Sequence, residues 1–140
     1  MKSKKNKDDR RVKYTKMVLK ESFIELLATK DISQITIKEI CEGADINRAT
    51  FYAHYNDQYD LLRKIEDEML DNIKTNLGEL DQINSNMDAV LTAEKIFEYL
   101  KDNAKICKLL LREDGNFSFQ KKVMMLVYDK IISELTDDNK

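Results

Sequence analysis

The chain has no proline and only three glycines, Gly43, Gly78 and Gly115. No other feature restricts its fold as strongly. A β-sandwich or barrel needs a tight turn roughly every 8–12 residues, and Gly and Pro are the residues that make those turns. The fold class expected is therefore all-α. The charged fraction of 36%, interleaved with Leu and Ile, suits amphipathic helices with solvated outer faces. Leu, Ile, Val and Phe together make up 38 of 140 residues, more than the roughly one fifth below which a charged chain stays disordered. At this length the chain forms one compact domain or two small helical ones sharing a core, and a large multidomain enzyme is excluded.

The formal net charge of −2 hides an asymmetry. Residues 1–55 carry 12 Lys and Arg against 8 Asp and Glu, and residues 56–140 carry 12 against 18. A basic N-terminal part joined to an acidic remainder concentrates attraction for a polyanion at one end of the chain. No stretch approaches the ~18 uninterrupted apolar residues of a membrane span, and MKSKKNKDDRR lacks the apolar segment of a signal peptide. These features point to the cytoplasm and to no membrane partner. Cys41 and Cys107 have no CxxC neighbour, and with His54 as the single histidine they cannot supply a four-ligand zinc site. Both are expected as buried small hydrophobes, with no metal and no cofactor.

Along the chain, residues 1–10 are polar and lysine-rich and read as a basic disordered arm. Thr15, Leu19, Ser22, Phe23, Leu26 and Leu27 recur at spacings of three and four, predicting a helix over about 11–29. Thr36-Ile37-Lys38-Glu39 is a capping box opening a short helix over about 37–42. Gly43 is expected to supply the tight turn that follows, and Asn47 to cap a new helix beginning Arg48-Ala49-Thr50. Asn56 and Asp57 offer the next cap, for a long helix over about 58–77 with Leu61, Leu62, Ile65, Met69, Ile73 and Leu77 on one side. Residues 79–87 are the linker candidate. Val90, Ala93, Ile96, Phe97 and Leu100 form one later stripe and Ile106, Cys107, Leu110 and Leu111 another, with Asn103 capping between them. Asp114-Gly115-Asn116 signals a turn. A last helix over about 118–135 carries Val123, Val127, Ile131, Leu135 and, beside them, Met124, Tyr128 and Ile132, a face broad enough to mark an association surface.

The 36–55 segment is the part with readable chemistry. With Phe51 pointing inward, a 100° advance per residue puts Tyr55 beside it and Ala49 and Ala53 opposite, flanked by Thr50 and Tyr52. Such a narrow outer face suits a major groove, where alanine can touch a thymine methyl. Arg48 could reach a guanine edge or a phosphate, and the Tyr52 hydroxyl can donate to a phosphate oxygen. No Ser, Cys or Asp near His54 has the spacing of a triad or nucleophile elbow, so no enzyme is expected. Glu66, Asp67, Glu68 and Asp71 point in different directions on a helix and read as a solvated face.

The string TIKEICEGADINRATFYAHY, residues 36–55, resembles the helix-turn-helix signature of the TetR family of bacterial transcriptional regulators. The matched features are Thr36, Ile40, Ala44, Ile46, Thr50, Tyr52, His54 and an aromatic at Tyr55, followed by Asp57 and Leu61-Leu62. The resemblance implies a DNA-binding head at 11–57, extending in family terms to about 73, and a helical regulatory and association domain at 58–140. By the same resemblance Arg48 and Thr50 sit where the family reads bases, and Tyr52 and His54 where it grips phosphates. Thr36, Lys38, Asn47 and Ala49 complete the DNA-binding set, with arm contacts to phosphate from Lys5, Lys7, Arg10, Arg11 and Lys13. The core of the head would use Leu19, Phe23, Leu27, Ile37, Ile40, Ile46, Phe51 and Tyr55.

What the resemblance implies is a cytoplasmic repressor on a palindromic double-stranded operator. It acts as a homodimer whose C-terminal part senses a small-molecule effector or a partner subunit. Association is assigned to Val123, Met124, Val127, Tyr128, Ile131 and Ile132. There are two departures. Gln58 stands where the family commonly has a phosphate-contacting lysine. Relatives also usually carry two further long helices after the one ending near Leu135, and those helices form the dimer interface. Residues 88–135 resemble the C-terminal region of one TetR subgroup less specifically. A different reading stays open at this point: a TetR-like interaction module that pairs with another subunit and binds DNA weakly.

Overall fold

The computed structural model describes residues 2–79, 86–112 and 117–137. In chain order the helices are α1 (Lys2–Leu27), α2 (Ile37–Ala44), α3 (Arg48–His54), α4 (Gln58–Glu79), α5 (Asn86–Asp102), α6 (Ala104–Leu110) and α7 (Phe117–Asp137), with a 3-10 turn at Ile32–Gln34. No strand occurs among the described residues. Of the linker candidate at 79–87, residues 80–85 lie outside the described residues and the ends belong to α4 and α5; the 114–116 turn signal and the side chain of Leu135 also lie outside the described residues. Two compact units divide the chain, Met1–Ile65 and Glu66–Lys140. None of the described helices is long and apolar enough to cross a membrane.

In the first unit α1 turns Thr15, Leu19, Ser22 and Phe23 inward, as its three-and-four spacing predicts, and Ile24 joins them while Leu26 is only half-buried. The helix begins nine residues before the predicted start, so residues 2–10, expected as a disordered arm, continue it. This segment holds no helix breaker, and Asp9 stands four residues before Lys13, an opposite-charge spacing that supports an exposed helix. Residues 6–14 are exposed, so this stretch is helical without a core to pack on.

Ile35, Ile40, Cys41, Phe51, Tyr55, Leu61 and Ile65 complete the core with α1. Leu27, Ile37 and Ile46 are only half-buried, because Ile35 from the connecting turn and Leu61 from α4 take fully buried positions. α1 and α2 meet at Ser22, whose hydroxyl donates to the Ile40 carbonyl at 2.8 Å. Gly43 lies inside α2 and its φ is not positive, so it does not make the turn. A Cβ built there would stand 2.3 Å from Ser22 Oγ, so its role is to let α1 come close. The left-handed turn residue is Asp45, at φ 55°, where its backbone N–H reaches back to the carbonyls of Cys41 and Glu42.

In the second unit Glu66, Met69, Ile106, Leu110 and Phe119 are buried. Glu66 departs from its expected solvated position and is 7% exposed. It stands four residues after Leu62 and three before Met69, at the edge of the apolar stripe. Cys107 is half-buried, unlike the fully buried Cys41. Asn103 does not cap α6 with its side chain, as expected, but turns back and donates to the Tyr99 carbonyl at 2.9 Å, closing α5. Gln120 Nε2 does the same for α6, donating to the carbonyls of Leu110 at 2.9 Å and Arg112 at 2.7 Å. The α5 stripe is largely solvent-facing: Val90, Ala93, Phe97 and Leu100 are exposed and Ile96 is half-buried.

Candidate nucleic-acid interface

The α2-turn-α3 segment is held at both helix starts by its own side chains. The Glu39 N–H donates to Thr36 Oγ1 at 3.1 Å, and the Thr36 hydroxyl donates to Glu39 Oε1 at 3.1 Å. The Glu39 carboxylate also accepts from the Thr36 backbone N–H, the reach-back of a capping box, and it takes the Lys30 ammonium at 2.5 Å. Chiefly because of that hydrogen bond, its pKa lies below the ordinary 4.5. Asn47 Oδ1 accepts from both the backbone N–H and the hydroxyl of Thr50, each at 2.8 Å. The caps therefore engage three side chains assigned to DNA, those of Thr36, Asn47 and Thr50. While these bonds hold, the Thr36 and Thr50 hydroxyl protons are committed, and the half-buried Thr50 has only acceptor lone pairs and a methyl group to offer.

Phe51 is fully buried and Tyr55 nearly so, which fixes the roll of α3. Ala49 and Ala53 are then exposed, Arg48 is exposed at the first turn, and Tyr52 is 54% exposed. The Tyr52 ring meets Phe51 edge-on with centroids 5.6 Å apart, so the aromatic body is steadied while the hydroxyl end is free to point away from the core. His54 is half-buried, its ring 6.2 Å from that of Tyr55. Arg48 and Lys38 share an open depression with Cys41, Glu42, Asp45, Ile46 and Asn47. Lys38 Nζ is 4.0 Å from the Glu42 carboxylate, with both side chains exposed, a loose pair that a phosphate could replace. Burial raises the Cys41 thiol pKa, with Arg48 acting in the opposite direction, so Cys41 is protonated wall material.

Lys7, Arg10, Arg11 and Lys13 are exposed on the helical N-terminal part of α1; the side chain of Lys5 lies outside the described ones. The structure thus presents cations on a helix where a flexible arm was expected. Gln58 Nε2 donates to the Ile35 carbonyl at 3.1 Å, joining the start of α4 to the turn before α2. That position has become a packing contact.

Periodicity did not reveal the corner between α3 and α4. Asp57 Oδ1 accepts from the Asp60 N–H at 2.8 Å, and Asp60 Oδ2 accepts from the Asn56 N–H at 2.9 Å, a reciprocal cap. The Asp60 pKa lies below the ordinary 3.8, chiefly through that Asn56 hydrogen bond. From the next turn of α4, Lys64 donates to the His54 carbonyl at 2.9 Å and its ammonium sits 5.3 Å from the centre of the Tyr55 ring. Asp57 is the cap expected from the sequence, and Asp at the third helical position is the signal for its reciprocal partner.

The family model described as bacterial regulatory proteins, tetR family, matches residues 24–65, which span α2, α3 and this corner. A second, described as transcriptional regulator C-terminal region, matches residues 91–140. The chain belongs to the TetR family. Among similar proteins, the uncharacterised HTH-type transcriptional regulator YxbF of Bacillus subtilis is 45% identical over 56 residues, covering 39% of this chain and 15% of YxbF. An uncharacterised HTH-type transcriptional regulator of Haemophilus influenzae is 28% identical over 103 residues, covering 69% of this chain and 48% of the relative. The chain therefore spans less than half the length of these two proteins. The crystal structure of a TetR transcriptional regulator from Streptococcus agalactiae aligns with a TM-score of 0.60 at 25% identity, covering 93% of this chain and 69% of that one.

Proposed function

We propose that this TetR-family chain is a cytoplasmic repressor that binds one half of a palindromic operator by placing α3 in the major groove. The observation that carries this reading is the roll of α3. Burial of Phe51 and Tyr55 turns a small-residue face, Ala49 and Ala53 flanked by Thr50 and Tyr52, away from the core. Arg48, Ala49 and Thr50 are the base-facing group. Tyr52, His54, Lys38 and the start of α3 at Asn47 are the phosphate-facing group, with Thr36 contributing through its cap. The cations of α1 add attraction without sequence preference. Two copies would pair through the α7 face of Met124, Val127, Tyr128, Ile131 and Ile132, with Val123 beside it, and the C-terminal unit would sense an effector or a partner subunit. The reading is tested by selecting duplexes from a random-sequence library, then measuring gel shifts of the enriched duplex and of DNA flanking the chain's own gene at two salt concentrations. Sequence-specific retention that falls steeply with salt is expected. No enrichment and no shift, together with co-purification of another subunit, would replace this reading with that of an interaction module.

A further inference from the structure

Seven residues make α3 too short to persist as an isolated helix, so its ends decide how firmly it is held. Its N-terminal end is fixed by the Asn47 cap. Its C-terminal end, like that of any helix, carries carbonyls with no partner inside the helix and a partial negative charge. One of these, the His54 carbonyl, receives the Lys64 ammonium at 2.9 Å. Lys64 is held in turn: its Nζ is 3.5 Å from Asp60 Oδ2, and Asp60 is buried and bonded to the Asn56 N–H at 2.9 Å. The Tyr55 ring lies under the same ammonium. The corner thus forms a closed circuit from α4 through Lys64 to the last turn of α3.

We infer that Lys64 is a positioning residue for α3, setting discrimination between an operator and bulk DNA without touching either. The inference rests on the DNA-binding reading above. Base edges demand hydrogen-bond geometry from Arg48 at the start of the helix while Tyr52 and His54 near its end meet the groove wall, and a single axis must satisfy both. At ~1.5 Å rise per residue the helix is about 10 Å long, so a tilt of roughly 10° about its capped start moves the far end by nearly 2 Å. Bulk DNA asks only for phosphate neutralisation, which such a tilt leaves intact. Releasing the His54 carbonyl therefore costs operator binding specifically.

The experiment compares the full-length wild type with Lys64→Met, which keeps the apolar stem and removes the donor, and Lys64→Arg, which can still donate to a carbonyl. The probes are the duplex that the wild type enriches from a random library and sonicated genomic DNA, each titrated across a salt series. Amide exchange of residues 51–55 is followed in the free proteins. For Lys64→Met the expected result is about a ten-fold loss on the enriched duplex, unchanged affinity for genomic DNA, an unchanged salt slope and faster exchange, with Lys64→Arg within about three-fold of wild type on all four. A general loss of stability would lower both affinities together and would overturn the inference. Unchanged affinity for the enriched duplex would also overturn it. So would an equal loss on both DNAs with a slope shallower by about 0.9, the sign of a direct phosphate contact. If the wild type enriches no sequence, the DNA-binding reading fails by itself; the exchange arm, which needs no DNA, still supports the positioning of α3 if it quickens and overturns it if it does not.

Discussion

Arg48 and Tyr52 share one short helix, yet their side chains meet different parts of a duplex and their removal should leave different signatures. Arg48→Ala should cost about 1–3 kcal/mol on the preferred site and flatten base preference at one position. Tyr52→Phe removes a donor to phosphate, and should weaken every sequence alike by about 1–2 kcal/mol. Competition assays with single-base operator variants separate the two, and an unchanged specificity profile for Arg48→Ala would remove it from the base-reading group. A second residue-scale prediction concerns Gly43. Alanine is the better helix former by roughly 1 kcal/mol, but overpacking a closed seam costs about 1–3 kcal/mol. The methyl group would meet Ser22 Oγ at 2.3 Å, and Ser22 is both buried and bonded to Ile40, so the steric term wins. Gly43→Ala should lower the urea midpoint, and pairing it with Ser22→Ala should cost less than the two single changes added. Strict additivity would refute the contact. The residue scale also shows where sequence reading stops. The Thr36 and Asn47 caps were legible because donor and acceptor lie three residues apart, but Gly43 and Lys64 answer to Ser22 and His54 across a helix packing and a corner, and no local pattern encodes those distances.

Among the elements, α2, α3 and α4 lie within a few residues of their predicted bounds, because each has a polar cap at its start and apolar spacing behind it. The extent of α1 was not legible: apolar periodicity begins near Thr15, whereas the helix upstream rests on charge spacing and the absence of breakers, signals with no period of their own. This changes the physical picture of the basic N-terminus without changing its charge. Lys2, Lys4, Lys5, Lys7, Arg10, Arg11 and Lys13 outnumber Asp8 and Asp9 by five. A helix holds its cations at a ~1.5 Å rise along one rod, so only those on the DNA side can neutralise phosphates. Deleting residues 2–9 should therefore make the slope of log affinity against log salt shallower by about one to two phosphates' worth, with base preference kept. An unchanged slope would mean that this part of α1 stands clear of the duplex.

On the scale of the whole molecule, one head gives little operator affinity. A helix-turn-helix protein gains it by setting two heads about one turn of DNA apart, which calls for a two-fold assembly. The apolar spacing of α7 was visible in the sequence, but whether its broad face packs inside the unit or remains open depends on the depth of the core, which spacing does not report. In the structure that core reaches Phe119, while Met124, Val127, Tyr128, Ile131 and Ile132 stay exposed and Val123 is half-buried. Met124 is 68% exposed and Tyr128 58%, side chains that face water at a cost of up to about 2 kcal/mol each if no partner covers them. An apolar face of this kind is a candidate interface, and a two-fold axis would bring the same face of two copies together. The chain should accordingly sediment as a concentration-dependent dimer in the micromolar range. Ile132→Glu, which puts a carboxylate on the face, should shift it to monomer and weaken binding to a two-half-site operator far more than to a single half-site. A chain that is monomeric at every concentration, with Ile132→Glu behaving identically, would show that α7 is not the surface through which two heads are joined.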